Sequence, residues 1–126
     1  MMKEVKYFRC TVCGNLVEKI IEGVGTMVCC NQDMVLLEAN VTDGATEKHV
    51  PAVTIENGVV TAVVGEVEHP MLPEHYIQFI SIVTEDGIYR KDLKPGDAPK
   101  VELTTDAKVL EVYEYCNLHG LWKIVL

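Results

Sequence analysis

The chain has 126 residues, of which 48% are hydrophobic and 24% are charged, and its formal net charge is −8. This length suits one domain with a small module attached, and the composition excludes a broadly disordered chain. The acidic balance, without any basic run, excludes nucleic acid as the expected partner. No stretch has the roughly 18–20 apolar residues of a membrane helix and the start has no signal-peptide core, so we expect no membrane association and a cytoplasmic location.

The first predicted element, residues 1–37, is a cysteine-rich unit that contains Cys10, Cys13, Cys29 and Cys30. A unit this short needs a metal, disulfides or a partner chain to fold. The first two cysteines have the spacing of a metal-binding knuckle, and four thiolates bind zinc or a single iron. The alternative of disulfide bonds is disfavoured in a reducing cytosol. Neighbouring side chains of an extended strand point to opposite sides, so the adjacent pair can share one metal only if the backbone bends sharply there.

Residues 38–48 are polar and are interpreted as a linker, which leaves residues 49–126 as the second domain. Asn57-Gly58 between two apolar runs predicts a β-hairpin with a type I′ turn. The predicted strands of this domain are 52–56, 59–64, 76–83, 88–93, 101–103, 108–115 and 121–126. Short strands joined by tight turns predict an all-β fold, either a β-sandwich or a barrel.

Four histidines and the remaining cysteine lie in predicted loops or at strand ends: His49, His69, His75, Cys116 and His119. Each histidine alone is typical of an ordinary surface or core residue, but together with the cysteine they predict a second metal site. Five ligands exceed the four that structural zinc prefers, and imidazole also suits iron, copper and nickel. Four imidazoles in a plane with a thiolate below would leave a sixth position open for a small oxidant.

Six motifs in order resemble the desulfoferrodoxin family, the two-iron class of superoxide reductase. They are CTVCGN at 10–15, CCNQDM at 29–34, EKHVP at 47–51, HPM at 69–71, HYIQ at 75–78 and CNLHGLWK at 116–123. The resemblance implies a desulforedoxin-like unit with an Fe(Cys)4 site, followed by an immunoglobulin-like β-sandwich. It also implies a second iron with the four histidines as equatorial ligands and Cys116 as the axial ligand.

The function that this resemblance implies is the one-electron reduction of superoxide to hydrogen peroxide, without production of dioxygen. Lys48 would attract the anion, and Glu47 would occupy the sixth position of the oxidised iron. Two iron ions per chain would be the cofactors, with no haem and no flavin. Family members are typically homodimers that receive electrons from rubredoxin-like donors in anaerobes or microaerophiles.

Two other functions remain compatible with the residues alone. A cupredoxin-like electron carrier shares the β-sandwich and a Cys-x-x-His pair, but it expects a nearby axial methionine, and no methionine follows Met71. A rubredoxin-like or zinc-ribbon module without catalytic activity explains the first four cysteines but leaves the histidines to chance. Metal analysis separates the reductase from the cupredoxin-like carrier, because iron favours the reductase and copper favours the carrier.

Overall fold

The computed structural model describes residues 4–42, 44 and 46–126, without the side chains of Thr46 and Glu47. The regular secondary structure of the described chain is almost entirely β-strand, and its helix α1 is a single turn, Thr46–His49. The predicted all-β class is therefore confirmed. No helix among these residues is long and apolar enough to cross a membrane.

The chain divides into two compact units, Met1–Glu38 and Ala39–Leu126. The first unit has five very short strands: β1 (Tyr7–Arg9), β2 (Leu16–Glu18), β3 (Val28–Cys29), β4 (Gln32–Asp33) and β5 (Val35–Leu36). They form a three-stranded sheet in the order β2-β1-β5 and the hairpin β3-β4. Of the described residues in this unit, only Tyr7 and Cys10 are buried. This small amount of apolar burial cannot offset the conformational entropy that the chain loses on folding. The unit therefore depends on a crosslink such as a metal.

The second unit is a sandwich of two antiparallel sheets. Its strands are β6 (Pro51–Glu56), β7 (Val59–Val64), β8 (Ile77–Thr84), β9 (Gly87–Asp92), β10 (Lys100–Thr104), β11 (Val109–Cys116) and β12 (Gly120–Val125). The sheets have the strand orders β10-β7-β6 and β12-β11-β8-β9. The predicted strands are present, with bounds that differ by at most one residue. The predicted β-sandwich is confirmed.

The core of this unit lies between the two sheets. Alternate residues of β7, namely Val60, Ala62 and Val64, are buried, as expected of a strand with one face on a core. Cys116, at the end of β11, belongs to the same buried cluster. Burying each large aliphatic side chain contributes about 1.5–3 kcal/mol to the stability of the fold. This core therefore stabilises the sandwich that carries Cys116.

The segment predicted as a linker is partly attached to the second unit. The Asn40 side chain donates to the carbonyl oxygen of Lys123 at 3.1 Å and accepts from the Lys123 N–H at 2.9 Å. The Thr42 hydroxyl donates to the carbonyl oxygen of His119. The end of the segment forms α1. These polar side chains bind backbone groups of β12 and of the turn before it.

Candidate metal centres

Four cysteine sulfurs converge in the first unit and form centre I: Cys10, Cys13, Cys29 and Cys30. The sulfur of Cys29 lies 3.6 Å from that of Cys13 and 3.9 Å from that of Cys30. Four sulfurs about 2.3 Å from one tetrahedral metal lie about 3.8 Å apart, whereas a disulfide needs about 2.05 Å. The separations therefore fit a metal bound by four thiolates.

The adjacent cysteines are accommodated by a tight turn. Cys30 and Asn31 connect β3 to β4 and have positive φ angles of 54° and 60°. A two-residue hairpin turn with both central residues at positive φ is of type I′. The turn directs the side chains of Cys29 and Cys30 towards the same point. The predicted sharp bend at this pair is confirmed.

The electrostatics of centre I favour a bound cation. Backbone N–H groups of Cys13 and Val12 donate to the sulfur of Cys10 and, against the effect of burial, lower the pKa of this thiol to about 6. Hydrogen bonding to Cys13 and Cys10 raises the pKa of Cys30 to about 12. One thiolate forms readily, but a cluster of thiolates needs a positive ion to compensate the charge. The Asn15 amide also donates to Cys29 at 3.5 Å.

Five ligand atoms converge in the second unit and form centre II: those of His49, His69, His75, Cys116 and His119, all within 4.8 Å of one another. His49 ends α1, and the loop between β7 and β8 carries His69 and His75. Cys116 ends β11, and His119 lies in the turn to β12. Residues from three separated stretches thus meet at one end of the sandwich, where loops place functional groups on a rigid scaffold.

The four imidazoles of centre II form a closed square. Neighbouring rings follow the order His49, His69, His75, His119, with centroid separations of 4.7–5.0 Å and interplanar angles of 74–82°. The Nε2 atom of His49 lies 3.1 Å from Nε2 of His69 and 3.0 Å from Nδ1 of His119. Nitrogens about 2.1 Å from one metal and at right angles lie about 3.0 Å apart. The square therefore fits the equatorial ligands of a metal.

Two observations show which ring nitrogens face the centre. Nδ1 of His69 lies 2.7 Å from the carbonyl oxygen of Pro70, so it carries the proton and leaves the Nε2 lone pair for a metal. Nε2 of His75 is buried and has no hydrogen-bond partner among the described residues. Burial lowers the pKa of His69 to about 4 and also lowers that of His75. Neutral imidazoles with inward lone pairs are the form that binds a metal.

The sulfur of Cys116 completes centre II. It lies 3.5 Å from Nε2 of His69 and 3.8 Å from Nδ1 of His119. Burial raises the pKa of the Cys116 thiol, while the backbone N–H groups of His119 and Leu118 donate to the sulfur and oppose that effect. A buried thiol that accepts two N–H bonds is suited to become a thiolate once a cation is bound.

Asn117 holds two ligand-bearing loops together. Its side-chain oxygen accepts from the N–H of Tyr76 at 2.9 Å, and its amide donates to the carbonyl oxygen of Glu74 at 3.0 Å. These bonds connect the turn after Cys116 to the residues on either side of His75. Sequence reasoning missed this role, although an asparagine within a Cys-x-x-His motif is a signal for it.

The two predicted catalytic residues lie on α1. Lys48 is exposed, and its charge is one of the smaller causes that lower the pKa of His75. The ammonium is therefore within electrostatic range of His75. The side chain of Glu47 is outside the described residues, and its predicted role stays a prediction.

Glu114 is a buried carboxyl that sequence reasoning missed. It is fully buried on β11, and neither of its carboxyl oxygens has a hydrogen-bond partner among the described residues. Burial raises its pKa well above the ordinary value, because a buried carboxylate loses its hydration. Its position two residues before Cys116, in the inward register of the strand, was the available signal.

The geometry defines a protein with two mononuclear metal centres: a cysteine-only site in a small unit and a five-ligand site in a β-sandwich. A protein-family model described as desulfoferrodoxin matches residues 41–125. A second model, described as the desulfoferrodoxin N-terminal domain, matches residues 2–37. The chain belongs to the desulfoferrodoxin family, and its two centres have the donor sets of that family's two iron sites.

Individual relatives match along nearly the whole chain. A desulfoferrodoxin homolog of Methanothermobacter thermautotrophicus is 49% identical over 97% of this chain and 99% of its own. The desulfoferrodoxin of Desulfarculus baarsii is 45% identical over 98% of both chains. The crystal structure of the superoxide reductase from Treponema pallidum has a TM-score of 0.79 and 36% identity, over 97% of this chain and 99% of that one.

Proposed function

We propose that the chain is a superoxide reductase: superoxide, one electron and two protons give hydrogen peroxide at centre II. The observation that carries this proposal is the closed square of four imidazoles with one thiolate sulfur beside it. Iron bound there would supply the electron. Iron held by these five residues would have one position left for a small oxidant, whereas a metal held by the four cysteines of centre I would have none.

The rival electron carriers lack support at this site. A blue-copper site takes two histidines, one cysteine and often a weak methionine ligand. Here the sulfur of Met71 accepts the N–H of Ile77 at 3.4 Å and packs against the core. A purely structural zinc site prefers four protein ligands, whereas centre II has five. All four histidines of the chain converge on one site, which the rubredoxin-like or zinc-ribbon module does not explain.

The residues around centre II have distinct proposed roles. Lys48 attracts the anion locally, which matters because the chain as a whole is acidic and repels superoxide. Glu47 would supply a carboxylate to oxidised iron, since a hard ferric ion prefers oxygen over the softer donors that suit ferrous iron. Protons come from water, because each of the four histidines of the chain belongs to the ligand cluster.

Centre I has a proposed role in structure and electron transfer. It stabilises the unit of residues 1–37, and residues 49–126 carry the reaction after the connection at residues 38–48. Its exposed cysteines, Cys13 and Cys30, make it accessible to a rubredoxin-like donor. The exposed apolar side chains of Ile20, Ile21 and Val24 support assembly as a homodimer. We place the protein in the cytoplasm of an anaerobe or microaerophile, where thiolates stay reduced.

Iron analysis and pulse radiolysis test the function. We expect two irons per chain, of which ascorbate bleaches the histidine site and leaves the bands of the cysteine site. Superoxide added to the reduced protein is consumed without release of dioxygen. Cys116→Ser loses the thiolate-to-iron band of centre II and most of the activity, whereas Cys13→Ser disrupts centre I and keeps that band. Copper in place of iron, or reduced protein that does not consume superoxide, contradicts the proposal.

A further inference from the structure

We propose that Trp122 is a positioning residue of centre II that holds His49 and His119 together and lowers the reduction potential of the bound iron. The inference rests on the proposed function only in requiring iron at centre II. It concerns a side chain that lies outside the ligand set and outside α1, which carries Lys48.

The position of Trp122 brings it against two ligands at once. The indole is buried on β12 and stacks on the imidazole of His49, with ring centroids 5.0 Å apart and planes 22° apart. Its N–H donates to the carbonyl oxygen of His119 at 3.0 Å. One side chain therefore contacts the ring of one equatorial ligand and the backbone of its neighbour in the square.

The need for such a support follows from where His49 lies. This ligand is the last residue of a helix of four residues, Thr46–His49. A single helical turn is not stable by itself, so it does not fix the direction of a side chain. The indole face forms a rigid wall against the ring, because its own strand pairs with β11 along six residues. Precise ligand orientation depends on neighbouring groups of this kind.

The N–H bond adds a constraint on the other ligand. Cys116 pairs with Gly120 at the end of the β11-β12 hairpin, and His119 lies in the turn between them. The bond from Trp122 to the carbonyl oxygen of His119 fixes that turn from inside the sandwich. The Thr42 hydroxyl donates to the same oxygen. Loss of the indole N–H thus removes one of two described donors to this carbonyl.

The stack also has an electrostatic consequence. An imidazole bound to iron carries partial positive charge, which is larger when the iron is ferric. The indole face carries the negative part of the ring quadrupole and stabilises positive charge beside it. Trp122 therefore favours the ferric state and lowers the potential. An aliphatic side chain of similar burial excludes water equally but lacks this interaction, so the aromatic face makes the difference.

The experiment compares Trp122→Phe and Trp122→Leu with the wild type by redox titration of the centre II band and by the rate of iron loss to a chelator. Phe keeps an aromatic face without the N–H, and Leu keeps neither. We expect the potential to rise in the order wild type, Phe, Leu, and iron to leave the Leu variant about 10-fold faster or more. Phe79→Leu is the matched control, because Phe79 is a buried aromatic residue that stacks on Tyr115 at 6.0 Å.

The control variant is expected to unfold at a lower temperature without a change in potential. An unchanged potential in both Trp122 variants overturns the inference, as does an equal shift in Phe79→Leu. If Trp122→Leu does not fold, the potential of Trp122→Phe alone decides. Both readouts are independent of superoxide, so a wild type that binds iron without consuming superoxide would refute the proposed function and leave this test intact.

Discussion

Gly65 lies directly against the backbone of Lys48. A Cβ atom on Gly65 would lie 2.6 Å from the carbonyl oxygen of Lys48, which is closer than real contacts allow. The φ angle of Gly65 is +80°, and its N–H donates to the carbonyl oxygen of Val50 at 3.2 Å. The turn after β7 thereby supports the end of α1, which carries both Lys48 and the ligand His49.

This contact predicts that Gly65→Ala damages centre II. The added methyl group must displace the backbone of α1, and the positive φ adds strain, so we expect a loss of about 1–3 kcal/mol in unfolding free energy. Iron should leave centre II faster while centre I is retained, as measured by chelator kinetics at the two sets of bands. Gly87→Ala is the control, because nothing lies within 4 Å of its added Cβ. Equal behaviour of the two variants would refute the role of Gly65.

The charge of Lys48 predicts a kinetic effect on superoxide capture. Lys48→Ile should slow the bimolecular step roughly tenfold and flatten its dependence on ionic strength, because local attraction of the anion is lost. Pulse radiolysis at several salt concentrations measures both quantities. Lys108→Ile makes the same change of charge at an exposed position on another turn and should have little effect. An unchanged rate in Lys48→Ile removes this residue from the mechanism.

The turn at the adjacent cysteines predicts opposite effects of two substitutions at Asn31. Asn31 has a φ of 60°, a conformation that asparagine and glycine tolerate better than alanine does. Asn31→Ala should destabilise the first unit by about 1 kcal/mol and speed iron release from centre I. Asn31→Gly should match or exceed the wild type. Chelator kinetics at the centre I bands compare them, and faster release from the glycine variant would contradict the type I′ assignment.

The buried carboxyl of Glu114 predicts a pH dependence of stability. Its folded pKa is raised above the ordinary 4.5, so the native chain keeps a proton that the unfolded chain releases. Its contribution to stability is complete below pH 4.5 and declines as the pH rises towards the folded pKa, by at most about 1.4 kcal/mol per pH unit. Glu114→Gln removes this titration, so the variant should gain stability relative to the wild type as the pH rises.

Thermal unfolding of iron-loaded Glu114→Gln and wild type between about pH 5 and 8 measures the effect. Glu102→Gln is the control, because Glu102 is an exposed glutamate on β10. Its melting temperature should follow that of the wild type at every pH. A constant difference between Glu114→Gln and the wild type across this range would mean that Glu114 does not titrate as its burial requires.

The features that the sequence by itself determined are local in the chain. The Cys10-x-x-Cys13 knuckle, the Asn57-Gly58 turn and the positions of the strands along the second unit depend on residues a few positions apart, whose chemistry is readable directly. Asn57 and Gly58 indeed have positive φ angles of 52° and 78°. The two donor sets were also predictable, since the order of the motifs along the chain resembles the family to which the chain belongs.

Only the tertiary structure decided how distant residues meet. The order of the four imidazoles in the square, the stack of Trp122 on His49 and the contact of Gly65 with Lys48 join residues that are far apart in sequence. Such contacts depend on the twist and packing of two sheets, which no local pattern encodes. For the same reason the inward register of Glu114 on β11 could suggest burial, but only the packed sheets show that its carboxyl oxygens have no partner among the described residues.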